Sequence, residues 1–329
     1  MNKCAVIFGG TGYIGTWLAR RLLEQGWSKI VLADIKPPTE RLSRGIEYVA
    51  CDVRQPITGQ LSFDSVDWIF NFAAVHREPG HVFREYFDTN IPGAKNVCSF
   101  AETVGCSRIL FTSSIAVYGE IAMPTNERTA IYPDTGYGIS KCCAELIHRV
   151  WQSGSPSRRL IVVRPGVVYG PGDPGNILRM IRAIQRGMFF MPGDGSVRKS
   201  YAYIYGLLDS IDFMMGVEES FICYNYVERE TEKLSELVHI TSEELGISRP
   251  RMRIPMAMLV WAARLAQLLS GGNSPIHPLR VRKAAKSTYI VPEELLLRGF
   301  EFRYEFRQSL RHWMKVAPSD FGRSMSVNK

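Results

Sequence analysis

The sequence predicts an α/β fold, a doubly wound parallel sheet with a smaller, mainly helical part at its C-terminal end. Three observations carry that expectation: short, wholly apolar runs alternate with stretches of helical spacing, a glycine-rich turn joins the first run to the first such stretch, and the rhythm breaks after residue 166. Strands that are apolar throughout belong to a sheet covered on both faces. The 329 residues are enough for one large α/β domain with an appendage, or for two ordinary domains. With 46% hydrophobic and 22% charged residues, the composition is that of a folded globule. Disorder, collagen and a disulfide scaffold are poor readings of it.

The first strand is expected at 3–8 (KCAVIF), stopped by Gly9 and Gly10. A helix follows through Tyr13, Leu18, Leu22 and Leu23 until Gly26 ends it. Further strands are expected at 29–34, 46–50, 66–72, 107–112 and 159–164, with helices near 81–105 and 138–152 between the later ones. Beyond the Pro/Gly cluster RPGVVYGPGDPG and the turn PGDG, helical stretches are expected at 230–245, 255–270, 292–298 and 306–314. The division read from this pattern is a sheet domain at 1–166, to which a strand near 197–204 and the segment to about 222 return. A smaller, mainly helical domain takes 167–196 and 223–329. The apolar stretch Ile254–Leu269 has sixteen residues with Arg264 inside, too short and too charged for a membrane span. It is expected to be a buried helix, with a membrane-surface anchor as the second reading because Arg280, Arg282, Lys283 and Lys286 follow it.

Seven scattered cysteines without a C-x-x-C pair point to free thiols in a reducing compartment, and no leader pattern opens the chain. A cytoplasmic protein is the expectation. The net charge of +8 is unevenly placed: residues 251–329 hold fourteen Lys/Arg against five Asp/Glu, whereas the rest holds 26 against 27. No helix-turn-helix, zinc-finger spacing or run of interleaved aromatics marks this tail for nucleic acid. A phosphate-bearing small substrate accounts for it more simply.

Gly9-Gly10-Thr11-Gly12-Tyr13-Ile14-Gly15 sets glycines at three-residue spacing between a strand and a helix. Such a turn lets the backbone approach a diphosphate, to which the helix N-terminus offers free N–H groups. Asp34 ends the next strand, where a carboxylate can accept from both ribose hydroxyls and repels a 2′-phosphate. NAD is therefore favoured over NADP, although Lys36 lies close by. Downstream, Pro133-Asp134-Thr135-Gly136 leads into a helix bearing Tyr137 and Lys141 at i and i+4, one face of one helix. A phenol of pKa ~10 becomes a usable base when cations stand near it. Thr112, Ser113 and Ser114 fall at the C-terminal end of a strand, the edge where open α/β sheets bind ligands.

With those residues in place, the sequence resembles the extended short-chain dehydrogenase/reductases, specifically the NAD-dependent nucleotide-sugar epimerase/dehydratase group. The matching motifs are GGTGYIG at 9–15, Asp34, Asp52-Val53, Phe72-Ala73-Ala74, Asn90 with Gly93 and Asn96-Val97, SSIAVYG at 113–119, YGISK at 137–141, RPGVVYGPG at 164–172 and GDG at 193–195. The resemblance implies a Rossmann domain binding NAD through Gly9, Gly12, Tyr13, Ile14, Gly15, Asp34, Asp52, Val53, Phe72, Ala73, Ala74, Tyr137, Lys141 and Pro165. It implies catalysis by Tyr137, Lys141 and Ser114. It further implies substrate contacts at Ser114, Arg77, Asn176, Arg198, Lys199 and Arg280, and a homodimer through the helices at 81–105 and 138–152.

Members that eliminate water keep an acid pair directly after the catalytic hydroxyl. Here those positions are Ile115 and Ala116, so dehydration is not expected. The asparagine that many nucleotide-sugar epimerases place three residues after Arg164 is Val167, and Arg198-Lys199-Ser200-Tyr201 stands where Arg-Asp-Phe is usual. His76 and His81 lack a carboxylate or cysteine to complete a metal set, so no metal is expected. The activity expected is hydride transfer at a sugar carbinol, C4 foremost, on a nucleoside-diphosphate sugar, for the synthesis of surface polysaccharide or glycan precursors. The runner-up is a hydroxysteroid- or dihydroflavonol-type reductase, which Val167 and the apolar helix would suit. A non-catalytic NAD-binding regulator is the remote alternative, since such relatives lose the Tyr and Lys kept here.

Overall fold

The computed structural model describes residues 3–57, 61, 63, 65–76, 80–121, 123–173, 175–250, 252–269 and 286–322. Its centre is a seven-stranded sheet made of β1 (Cys4–Phe8), β2 (Lys29–Asp34), β3 (Ile46–Ala50), β4 (Trp68–Asn71), β5 (Arg108–Thr112), β6 (Arg159–Pro165) and β10 (Phe221–Tyr226). The order across the sheet is β3-β2-β1-β4-β5-β6-β10, and every pairing is parallel. Strand β1 shows why these segments read as solid apolar runs. Ala5 and Ile7 pack into the core on one face, while Cys4, Val6 and Phe8 pack into the core on the other. With period-two geometry and both faces covered, neither set can be polar.

Helices α1 (Tyr13–Glu24) and α5 (Ile204–Met215) close the first face; α2 (Phe83–Thr103) and α3 (Gly136–Ser153) close the second. Because chain order reverses between β1 and β4, a crevice opens at their carboxyl ends, which is where an open α/β sheet receives its ligand. The turn after β1 and the segment after β4 both lie there.

The remaining elements gather beyond β6. Strand β7 (Val167–Tyr169) pairs with β9 (Tyr201–Tyr203), and β8 (Met191–Pro192) pairs with β11 (Arg253–Ile254). Helices α4 (Asn176–Gln185), α6 (Leu234–Leu245), α7 (Met256–Leu269), α8 (Glu293–Leu297) and α9 (Phe306–Val316) complete this part. Its core is aromatic: Tyr169, Tyr203, Phe306 and Trp313 are fully buried together.

Three expectations need correction. The strand expected near 197–204 is β9, which pairs with β7 and not with the main sheet, while its Ala202 and helix α5 pack on the central core. A domain limit at about 222 cuts through β10, which runs to Tyr226 and pairs with β6 from Phe221↔Leu160 to Tyr226↔Pro165. The helix read as buried, α7, lies on the surface: none of its side chains whose exposure is described is buried. The aromatic core is already filled by α9 and β7, which leaves α7 outside it.

Candidate active site

Two glycines fix the turn after β1. Gly9 adopts φ +72°, and a Cβ there would stand 2.7 Å from the backbone nitrogen of Ala73, so the turn lies directly on the segment that leaves β4. Gly15, in the first turn of α1, has Gly10 and Gly9 backbone atoms at 2.7 Å from the same hypothetical carbon. Helix α1 is thereby pressed against the end of β1, with Gly12 as its N-cap and no capping side chain in front. The first-turn N–H groups of such a helix have no intrahelical acceptor and carry the positive end of its dipole. These N–H groups suit a diphosphate; a side chain at Gly9 would strike the backbone after β4, and one at Gly15 the backbone of the turn, so either would push the cradle apart.

Asp34 completes the cradle. One carboxylate oxygen accepts from the Thr11 N–H (3.2 Å) and the other from the Lys36 N–H (3.1 Å), so the acid ending β2 leans over the glycine turn. Tyr13 offers its backbone, because its side chain runs back into the core and its buried hydroxyl lies beside Gly170. Ile14 also packs inward. Val53 is buried against Gly93 of α2, and Asn96 donates to its carbonyl at 2.8 Å. Asp52 is clasped by the Arg54 guanidinium (2.6 Å), whose hydrogen bonds hold the carboxyl below its usual range despite partial desolvation. Phe72 and Ala73 continue β4 along the crevice, where Phe72 N–H donates to the Phe8 carbonyl at 2.9 Å.

Asn90, within α2, links this cofactor side to the catalytic side. Its amide oxygen accepts from Val75 N–H (2.9 Å), and its amide nitrogen donates to Val75 O (3.2 Å) and to Ser140 Oγ (2.9 Å). Ser140 in turn donates to the Tyr137 carbonyl (2.9 Å). Asn90 stood in the sequence only as one letter of a motif and Ser140 drew no notice, since a bracket between elements leaves no periodic trace.

Helix α3 starts where the sequence places it, with Thr135 accepting from Gly138 N–H as an N-cap (3.1 Å). Gly138 is then required sterically, because a Cβ would stand 2.4 Å from the carbonyl oxygen of Ala116. That contact docks α3 on the short 3₁₀ turn Ile115–Tyr118, whose N-cap is Ser114, with Oγ accepting from Ala116 N–H (3.2 Å). One turn further along α3, Lys141 Nζ donates to Thr112 O at 2.7 Å. The helix therefore touches the strand end on both sides of Ser114, at residues 112 and 116. The start of α3, which carries half-buried Tyr137 and buried Lys141, is thus set against the segment that holds half-buried Ser114.

Burial makes Lys141 an unusual lysine. Desolvation lowers its pKa to about 7, against the opposing pull of Glu145. Its ammonium lies 4.7 Å from the centre of the Phe111 ring. The same ring stacks on His148 at 4.3 Å. His148 accepts from Asn71 (3.2 Å) while its other nitrogen meets Ala144 O (2.7 Å), and burial lowers its pKa to about 4, keeping it neutral. Behind it, Arg164 of the RPG motif grips Glu145 through two bonds of 2.9 and 2.6 Å and donates to Tyr118 at 2.9 Å. Arg164 thus braces α3 rather than facing a ligand. Pro165 is buried where β6 ends beside β10.

The positions expected to meet substrate fare unevenly. Ile115 is buried, which removes any acid–base role from the position after Ser114. Arg198 donates to Thr231 O and lies 5.7 Å from the Tyr289 ring; Lys199 donates to Lys286 O. Both cations are thus drawn toward the segment after 286. Asn176 opens α4 exposed and accepts from Arg179 (3.1 Å). Arg77 and Arg280 lie outside the described residues. His81 pairs with Glu85, and among the described residues no group of His, Cys, Asp and Glu is arranged to hold a metal ion.

Comparison with known proteins adds the following. Residues 5–224 match the model of the NAD dependent epimerase/dehydratase family. Over 315 residues, covering 94% of each chain, the sequence is 28% identical to an Escherichia coli O157:H7 protein named N-acetyl-alpha-D-glucosaminyl-diphospho-ditrans,octacis-undecaprenol 4-epimerase. It is 25% identical to the UDP-glucose 4-epimerase of Vibrio cholerae over 295 residues, 85% of this chain and 86% of the other. Among solved structures, MoeE5 in complex with UDP-glucose and NAD superposes with a TM-score of 0.73 at 20% identity, covering 94% of this chain and 97% of the other. At that identity the shared feature is the fold.

Proposed function

Since the chain belongs to the NAD dependent epimerase/dehydratase family and is an NAD-dependent enzyme, we propose that it inverts the hydroxyl-bearing C4 of a nucleoside-diphosphate sugar. The observation that carries this reading is the docking of α3 around Ser114, which gathers Tyr137, Lys141 and a hydroxyl at the sheet edge beside the Gly9–Asp34 cradle. Held by that cradle, NAD supplies the acceptor and donor of the sugar's hydride. Tyr137 takes the proton of the sugar hydroxyl as general base and gives it back as general acid, while Ser114 holds the oxygen in line. The protonated Lys141 favours the phenolate. Elimination of water has no acid to drive it, because Ile115 and Ala116 follow Ser114.

Both relatives' printed names carry the sugar on a diphosphate and place the inversion at position 4, which supports that carbon. Arg198 and Lys199, with Arg280 and Arg77, are the proposed diphosphate contacts, and Asn176 a sugar contact. Exposed Leu146 and Val150, one turn apart on α3, and exposed Val82 and Phe83 at the start of α2 support a homodimer through these helices. Seven free cysteines support a cytoplasmic home, and among the described residues no helix is long and apolar enough to cross a membrane. Precursor supply for surface polysaccharide or glycans is the proposed role.

The test incubates the protein with UDP-, GDP-, CDP- and dTDP-sugars, with and without added NAD, and resolves the products by chromatography. A C4 epimer appearing without steady change in nicotinamide absorbance is the expected result. Steady reduction or oxidation of the cofactor would instead make the enzyme a dehydrogenase or reductase. No turnover of any nucleotide sugar, with activity on a steroid-like alcohol, would replace the substrate class altogether.

A further inference from the structure

Among the described residues, eighteen large hydrophobic side chains stand exposed, and six of them lie on α7 or just before the paired strands β8 and β11. Met188 and Phe190 lead into β8, Met252 leads into β11, and Met258, Trp261 and Leu268 lie along α7. Strands β8 and β11 pair through Met191↔Arg253, and Met191 N–H donates to Met252 O at 2.9 Å, so Phe190 and Met252 precede neighbouring positions. Helix α7 begins two residues after β11. Along it, Met258, Trp261, Ala262 and Leu268 recur at helical spacing, and Trp261 is 67% and Leu268 81% exposed. Such concentration of Trp, Phe, Met and Leu at the surface is not the scatter normal for a soluble face.

Charge indicates what would cover this face. From Leu245 to Pro292 the sequence contains no Asp or Glu and eight Lys or Arg. Arg253, beside Met252, and Arg264, on α7, are both exposed. Asp194, whose carboxylate feels the positive charge of Arg253, already accepts from the backbone and hydroxyl of Ser196. A second copy of the chain laid on the same patch would set cation against cation with few acids to answer them. An anionic lipid surface answers both features at once, since it admits apolar side chains to the acyl boundary and attracts arginine to its headgroups.

We propose that α7 and the β8–β11 edge form a docking surface that seats this protein on an anionic lipid bilayer. The proposal does not rest on the reaction proposed above, because its readout is membrane partition rather than turnover.

The full-length protein is floated with vesicles of phosphatidylethanolamine and phosphatidylglycerol, and in parallel with vesicles of phosphatidylcholine alone. Binding to the anionic vesicles that weakens with salt is expected. Trp261→Ser with Leu268→Ser should lower the partition at least about tenfold, and Arg253→Gln with Arg264→Gln should lower it roughly fivefold per charge. Unchanged NAD binding certifies that each variant is folded. Absence of flotation by the parent protein overturns the proposal. So does binding that the apolar pair of substitutions leaves untouched, or a patch-dependent rise in mass in lipid-free solution, which would assign the face to a second copy.

Discussion

The two halves of the molecule hold their important groups by different means. At the carboxyl ends of β1, β4 and β5, nearly every contact that shapes the site involves backbone: Gly9 against Ala73, Gly138 against Ala116 O, Lys141 on Thr112 O, Asn90 on both polar atoms of Val75. In the C-terminal part, ion pairs and aromatic contacts among side chains set the packing, as in the Arg307–Glu244 pair and the Tyr169–Trp313 cluster, and Arg198 and Lys199 reach across to carbonyls of another segment. Backbone-built sites demand particular residues at fixed spacing, whereas packing among side chains admits many solutions. The difference teaches that cofactor and catalysis are specified tightly and substrate loosely.

The sharpest way to test that contrast is at Tyr137. Tyr137→Phe should lower kcat by about 10²- to 10⁴-fold with NAD affinity unchanged by equilibrium dialysis. Next comes the brace behind it. Glu145→Ala leaves the Arg164 charge buried without its carboxylate, and a loss of roughly 3–5 kcal/mol is expected by denaturant unfolding. A pH-dependent effect belongs to Lys141. Its folded pKa of about 7 lies below the ordinary lysine value of 10.5, so between those values the unfolded chain binds more protons than the folded one. Stability should therefore rise as pH climbs from about 7 toward 10.5, and Lys141→Met should flatten that rise in melts followed across the range. The smallest effect is expected at a surface ion pair of the C-terminal part. Arg298 binds Glu219 at 2.6 Å, and Arg298→Ala should cost under about 1 kcal/mol with turnover unchanged. A severe loss of activity there would erase the contrast.

The same contrast explains how much was legible in the sequence. All six strands expected in the first half are found; burial on both faces writes most of them as apolar runs, whereas the edge strand β3 is only partly buried. Spacing puts Tyr137 and Lys141 on one helix face and the family resemblance singles out Ser114; the structure docks that helix on the strand end on both sides of Ser114. Helix α5 escaped notice since Ile204–Met215 is apolar on most sides and shows little stripe, and α4 hid behind the Pro/Gly cluster. Strand β10, Phe221–Tyr226, was missed because its Asn225 and tyrosines interrupt the run; buried Asn225 accepts from Tyr118 OH and draws Glu127 to its N–H. Misplacement of α7 has the same origin. Apolar composition does not say what a face packs against, and α7 does not join the chain's own core.

Isotopic labelling tests the central claim most directly, namely that a proton-accepting Tyr137 and a returning hydride act on one carbon. A nucleotide sugar carrying deuterium at C4 is converted in ordinary water, and the product is read by mass spectrometry and NMR. Retention of the deuterium at C4 of the epimer is the predicted result. Its replacement by solvent hydrogen would contradict the assigned chemistry.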